Sequence, residues 1–386
     1  MFPRIEAHHY RSLKSVDQSL GPFEILVGPN GSGKSSFLDV ISFLSTLVSE
    51  GLDAAVEERT ANFHDLVWGR EGDCFKLGVE ALIPEELRAK HPDTGAILDL
   101  IHYEVQVRID VQTGKHRIAE EAATMYPSAT GSRSGIEILK RDDGEFWFAS
   151  QPDFDRHDPA DPHRNYTGFR HLADSPVLYW FDQVLRAGIR PITLNVDELR
   201  KPSPPATSEK RESRGSYLAG AVELLASTDR FQDWLAHVRT ALPEIANVRA
   251  IRRDEDKHRY VMVRYKNGIE VPSWIVSDGT LRLLALTLLA YLPEFTGAYL
   301  IEEPENGVHP AALETIYQSL SSLYDAQVLI ASQSPLLLGM AEPEQLLCFT
   351  QEPDGTKIIR GSEHPALRDW RREVSLGTLM ASGILG

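Results

Sequence analysis

Between Phe23 and Phe37 the chain reads FEILVGPNGSGKSSF, an apolar β-rich run that breaks into a glycine-rich loop and then opens an amphipathic helix. The spacing G-x-x-x-x-G-K-S is complete, from Gly28 to Ser35. In such a loop the backbone N–H groups of residues such as Asn30, Gly31, Ser32 and Gly33 close on phosphate oxygens, helped by the positive end of the following helix. Lys34 is then placed to reach β- and γ-phosphates, and Ser35, followed by Ser36, to offer a hydroxyl to magnesium. A chain with this stretch has to build a sheet that delivers the loop and a helix that packs on that sheet.

At 386 residues the chain is too long for one typical core, so a nucleotide-binding body with at least one sizeable insertion is expected. Hydrophobic residues at 42% and charged residues at 25% exclude a disordered or fibrous chain. The net charge of -16 repels nucleic acid and anionic membranes, so any nucleic-acid contact has to come from local basic patches or from a partner. Only Cys74 and Cys348 are present, without neighbouring histidine pairs, which suggests neither a disulfide framework nor a zinc site and fits a reducing cytoplasm. The start, MFPRIEAHHYRSLK, has no apolar core of signal-peptide length, and the most apolar helix, Leu281 to Leu292, is short and contains Arg282. No membrane segment is expected.

Residues 2 to 27 read as two strands, FPRIEAHHY and PFEILVG, joined by a polar turn. Apolar residues from Phe37 to Val48 then recur at helical spacing. Alternating runs in 73–111 and 135–150 predict an antiparallel sheet with one face on a core. The Asp-, His- and Pro-rich stretch 150–176 matches no metal-ligand spacing and reads as an exposed loop. Residues 200–214 read as a linker, and a second basic run spans Arg249 to Tyr260. Lys201, Arg211, Arg252 and Arg253 are the candidates there for touching a phosphate backbone, against the plainer reading of solvated faces. Two amphipathic helices and a hairpin turning at Asn267-Gly268 follow.

Three motifs then come in close order. SDGTLRLLALTLLAYL opens a helix at Ser277, Asp278 and Gly279. Its N-terminus is either a plain cap or a second anion site, useful only if another subunit brings the nucleotide. AYLIEEPENGVHP is an apolar strand ending in two carboxylates: Glu302 is the candidate to hold magnesium through its hydration shell, and Glu303 to polarise the attacking water. QVLIASQSPLLL is a second buried, parallel-type strand, ending at Gln333 in a position that lines the phosphate crevice of α/β folds.

Together YRSLK at Tyr10, GPNGSGKSS, SDGT, IEEPENGVHP and SQSP resemble the ATP-binding-cassette (ABC) class of P-loop ATPases, within the soluble RecF, SMC and overcoming-lysogenization-defect group. The resemblance covers roughly 1–72 and 215–348. It implies an α/β fold, an ABC-type ATPase head with a mixed central sheet flanked by helices and an α+β insertion. The head is expected at 1–72 and 215–386, and an inserted β-rich region with linker at 73–214. It also implies ATP and Mg2+ as cofactors, and a homodimer, assembled head to tail, in which Ser277 and Gly279 of one subunit close over the nucleotide of the other. Asn306 and His309 would lie in the loop that crosses the dimer interface.

Two departures stand out. Gln333 occupies the place of the group's switch histidine, which makes it the second candidate catalytic residue but one that cannot take a proton. The segment 57–72, EERTANFHDLVWGREG, lacks the glutamine expected after the P-loop helix, leaving His64 or Asp65 as substitutes. No long heptad region and no clustered acidic metal ligands follow, so neither a coiled-coil arm nor a nuclease half is expected, and the ending looks like the tail of a stand-alone family ATPase. The resemblance therefore points to a cytoplasmic ATPase, slow in turnover, that acts with a separate effector protein such as a nuclease in anti-phage defence or DNA maintenance. A RecF-like DNA repair ATPase and an ATP-sensing scaffold are the alternatives.

Overall fold

A computed structural model describes residues 1–110, 112–128, 135–142, 145–148, 166–171, 175–192, 194–205, 218–293, 295–367 and 375–382. Most of the stretch 150–176, part of the linker 200–214 and Arg211 lie outside the described residues. The chain divides into two compact units, the first comprising 1–21, 29–189 and 349–358, the second 22–28, 190–348 and 359–386.

In chain order up to residue 187 the elements are β1 (Arg4–Tyr10), β2 (Leu13–Ser19), β3 (Phe23–Val27), α1 (Lys34–Glu50), α2 (Leu52–Glu57), β4 (Cys74–Leu82), β5 (Ala89–Lys90), β6 (Ile97–Leu98), β7 (Leu100–Ile109), β8 (His116–Tyr126), β9 (Ile136–Asp142), β10 (Glu145–Phe148) and α3 (Pro176–Ala187). The first unit holds a seven-stranded antiparallel sheet in the order β10-β9-β8-β7-β4-β1-β2. β1 and β2 thus share a sheet with β4 and β7 to β10, whereas β3, which leads into the P-loop, belongs to a different sheet. Residues 2–27 form three strands, not two. LKSVDQS carries no strand signature of its own, because only Leu13 and Val16 of β2 are buried, three residues apart, while its other positions are polar.

The buried alternation of β4 (Phe75, Leu77, Val79, Ala81) and β7 (Ile101, Tyr103, Val105, Val107) faces the core. There α1 presents Phe37, Val40, Ile41, Phe43, Leu44 and Leu47, all fully buried. Tyr10, Phe43, Phe63 and Phe75 form an aromatic cluster with ring centroids 5.0–5.9 Å apart, each pair contributing about 0.5–1.5 kcal/mol beyond its burial. The Tyr10 hydroxyl donates to Asp39 at 2.5 Å, and Asp39 also receives Arg11 and Arg59. Burial raises the Tyr10 pKa well above the ordinary phenol value, so the proton of this bond stays on tyrosine.

The remaining elements are β11 (Ile189–Ile192), α4 (Val196–Arg200), α5 (Leu218–Ala226), α6 (Arg230–Ala241), β12 (Ile245–Arg252), β13 (Arg259–Tyr265), β14 (Glu270–Pro272), α7 (Asp278–Leu288), β15 (Gly297–Glu302), α8 (Pro310–Ser321), β16 (Ala326–Ser332), α9 (Pro335–Leu338), β17 (Leu346–Glu352), β18 (Gly355–Arg360) and α10 (Leu376–Ala381). A six-stranded sheet has the order β11-β15-β16-β3-β17-β18, and its core β15-β16-β3-β17 is parallel. These strands are buried on both faces, which is why GAYLIE, AQVLIAS and FEILV read as continuous apolar runs. Helices α5 to α8 pack with β12, β13, β15 and β16 around one large core. Ile25, Val27, Leu346 and Cys348 pack with Leu337, Leu338 and Leu376 in another.

Glu24 is the exception in β3, 1% exposed and ion-paired at 3.0 Å with Arg360. The expected hairpin at Asn267-Gly268 joins β13 to β14, and the basic run from Arg249 to Tyr260 spans the β12–β13 turn.

Candidate functional site

In the first unit, α1 begins at Lys34 with no side-chain cap and no acidic residue in its first turn, so its N-terminal N–H groups and partial positive charge are left for a ligand. Gly31 and Gly33 take left-handed backbone, at φ 78° and 104°. A Cβ on Gly33 would also meet Thr356 Oγ1 at 2.4 Å and Ser12 Oγ at 3.0 Å. Asn30, Gly31 and Ser35 are exposed, whereas Ser32, Gly33 and Lys34 are buried. The Lys34 ammonium donates to Pro29 O at 2.8 Å across the loop.

Thr356, in β18, donates from its hydroxyl to Ser32 O at 2.9 Å and to Ser12 O at 3.2 Å, while Ser12 Oγ donates to Ser36 Oγ at 2.9 Å. Residues from the β1–β2 turn and from the far end of the chain therefore hold the loop's outer side, a role that no local motif around Thr356 announced. The arrangement fits a polyphosphate: glycine backbone without Cβ obstruction, an uncapped helix terminus and a buried lysine.

In the second unit the parallel register sets Glu302 beside Ala331 and Ser332 beside Val27, so β15, β16 and β3 end at one edge of the sheet. Gly28, which opens the phosphate loop, is the next residue after Val27. Glu302 is exposed at the strand end, an oxygen donor of the hard type that magnesium takes. Glu303 continues the ladder through its N–H to Ala331 O at 2.8 Å, yet its φ is 46°. A left-handed glutamate carries strain of about 1–3 kcal/mol, which the surrounding contacts must hold in place.

Those contacts are visible. Asn306 Nδ2 donates to Glu303 Oε2, and Gln333 Nε2 donates to Oε1 at 3.2 Å. The structure thus brings together the two residues singled out as catalytic candidates. Glu305, not among the candidates in the sequence, accepts from Ser332 Oγ at 2.8 Å and from Gln333 N at 2.9 Å, fixing the strand end that carries Gln333. Its signal was its place, two residues after Glu303 and ahead of the turn at Asn306-Gly307. His309 accepts the Ala311 N–H through Nδ1 at 3.2 Å as the cap of α8.

Ser277 caps α7: its hydroxyl accepts the Thr280 N–H at 3.3 Å and donates to Thr280 Oγ1 at 2.8 Å. Asp278 is ion-paired with Arg200. A Cβ on Gly279 would meet Gly307 O at 2.7 Å, so the start of α7 rests on the loop that follows Glu303. Of the two substitutes for the missing glutamine, Asp65 accepts from Thr60 Oγ1 at 2.8 Å and pairs with Arg70, and His64 Nδ1 is buried without a hydrogen bond.

A family model described as "AAA domain, putative AbiEii toxin, Type IV TA system" matches residues 24–84 and 106–339, which contain GPNGSGKSS, SDGT, IEEPENGVHP and SQSP but not YRSLK at Tyr10. The chain belongs to this family. Among solved structures it is similar to an Smc head bound to the C-winged helix domain of ScpA (TM-score 0.56, 14% identity, 93% of this chain and 96% of that one). It is also similar to an Smc head with an extended coiled coil bound to the C-terminal domain of ScpA, derived from Pyrococcus furiosus (TM-score 0.50, 13% identity, 93% and 95%). At these identities the likeness establishes the fold, an ABC-type P-loop ATPase head. None of the curated proteins is significantly similar to the chain. Among the described residues no helix is long and apolar enough to cross a membrane, and no group of three or more His, Cys, Asp or Glu residues could hold a metal ion.

Proposed function

We propose that this family member is a cytoplasmic, Mg-ATP-dependent ATPase that dimerises head to tail on ATP and controls a separate effector protein, such as a nuclease, in anti-phage defence or DNA maintenance. The observation that carries the catalytic part is the left-handed Glu303, held at the end of β15 with its carboxylate between Asn306 and Gln333. In this reading the backbone of Asn30 to Gly33 and the Lys34 ammonium bind the phosphates, and Ser35 and Ser36 line the start of the helix beside them. Ser35 and Glu302 supply oxygen to Mg2+, which when bound neutralises phosphate charge. Glu303 accepts the proton of the attacking water, and Gln333 holds that carboxylate in orientation without exchanging protons.

Ser277, Asp278 and Gly279 supply the partner subunit's side of the nucleotide. The effector part of the reading is supported by the family description, which names a toxin system, and by the similar Smc heads, whose titles describe them bound to a domain of another protein. The insertion of 73–214 into the head remains part of the proposal.

One observation favours a second reading, an ATP-sensing scaffold with little turnover. The group facing Glu303 is an amide, so no imidazole is there to relay a proton. A single experiment separates the two. Wild type and Glu303→Gln are compared for binding of ATP and for phosphate release: the ATPase reading expects unchanged affinity and turnover lowered by at least about 100-fold. Equal residual turnover in the two proteins would remove Glu303 as the base and leave the scaffold.

A further inference from the structure

The three-stranded sheet β12-β13-β14 has one face in the core, through Val248, Val261 and Val263, each at most 1% exposed. Alternation puts Arg249, Tyr260, Met262, Arg264 and Glu270 on the opposite face, where register sets Arg264 between Asn247 and Glu270. That face is open among the described residues: Arg249, Arg264 and Glu270 are exposed, and neither Tyr260 nor Met262 joins a core cluster. Trp274, 45% exposed just beyond β14, lies against Tyr260 with ring centroids 4.9 Å apart. Arg253 sits over the Tyr260 ring at 5.8 Å, and Arg249 pairs with Glu270 at 2.7 Å. Arg264, and Lys266 just past the end of β13, have no ion-pair partner among the described residues.

We propose that this face binds single-stranded nucleic acid, with bases stacking on Trp274 and Tyr260 and phosphates meeting Arg264 and Lys266. The chemistry is that of sequence-tolerant strand binders, aromatic faces interleaved with cations on an exposed sheet. A duplex offers no free base face to Trp274, so the aromatic pair selects unpaired strands. In a chain of net charge -16, the exposed Arg264 and Lys266 are a local positive exception, and charge complementarity assigns them a polyanion. The original candidates divide otherwise. Lys201 is tied to Glu198 at 2.6 Å and Arg253 to Asp256 at 3.5 Å, while Arg252 lies beside Arg259 in register, off the open face.

The test is anisotropy of a short labelled oligothymidine, and of the matched duplex, with the full chain in the absence of nucleotide, between about 50 and about 200 mM salt. Working without ATP keeps the outcome separate from the ATPase reading. Trp274→Ala is expected to weaken single-strand binding about tenfold, Trp274→Phe to retain most of it, and Arg264→Gln to lower the salt slope by about 0.7. Tyr324→Ala, an 85% exposed aromatic elsewhere in the same unit, is expected to leave binding unchanged. Circular dichroism verifies that each variant is folded, and Arg264→Gln, on an exposed side chain, carries the test if Trp274→Ala is not. No binding by wild type at the lowest salt, a duplex bound as tightly as the single strand, or an Arg264→Gln slope equal to wild type would each overturn the proposal.

Discussion

Gly33 is glycine for two separable reasons, a φ of 104° and the Thr356 hydroxyl lying where its Cβ would stand. The first reason is legible in the motif, because a phosphate loop needs left-handed backbone at that step. The second is not, since Thr356 is more than three hundred residues away along the chain and sits in an unremarkable TKIIR strand. The same division applies to Glu303 and Glu305. Two acidic residues after an apolar strand advertise a catalytic pair, while Glu305 shows its purpose only once β16 is seen to end against it. Thr356 supplies a prediction at this scale. Thr356→Val keeps the shape and removes the donor, which leaves Ser32 O without that bond at a cost of about 1–2 kcal/mol. Differential scanning should show a modestly lowered midpoint, and titration with a non-hydrolysable ATP analogue an affinity reduced several-fold, with Thr356→Ser restoring both. Unchanged analogue affinity in Thr356→Val would limit the contact to stability.

Elements that bury one whole side were readable, and those that depend on a partner were not. The helix α1, the parallel strands β15 and β16 and the hairpin at Asn267-Gly268 appear where periodicity and turn chemistry put them. β2 escaped because it is a sheet edge with little apolar content, stabilised by its ladder to β1 more than by its own side chains. Glu24 shows the converse. It is the one charged residue of an otherwise apolar run, a side chain that by itself asks for solvent, yet β3 is central, with β16 on one side and β17 on the other, and the carboxylate is buried against Arg360. Removing one partner of such a pair strands the other charge. Arg360→Met is expected to cost about 3 kcal/mol, read as a lowered urea midpoint, while the double variant Glu24→Leu, Arg360→Met recovers most of it. A single variant as stable as wild type would mean that Glu24 is neutralised or solvated without Arg360.

For the whole molecule the open issue is whether the signature loop completes a site in a second subunit, which distinguishes a dimerising head from a monomeric P-loop enzyme with the same front end. The choice of variant follows from packing within one chain. Gly279 is unsuitable, because any Cβ there strikes Gly307 O at 2.7 Å and would displace the loop after Glu303 in its own subunit. Ser277 is exposed, and its loss as a cap costs only about 1 kcal/mol. Ser277→Arg should therefore bind ATP as wild type does but fail to dimerise or hydrolyse, since a guanidinium then stands where the partner's nucleotide must fit. Lys34→Ala should lose nucleotide binding itself. Mixed in equal amounts, the two inactive proteins can pair only with each other, and each heterodimer has one intact composite site of two, so up to about half of wild-type turnover should return. Light scattering in a Glu303→Gln background, which holds ATP, should show the dimer directly. A monomer at every ATP concentration, together with no activity on mixing, would refute head-to-tail assembly and confine the signature residues to capping α7.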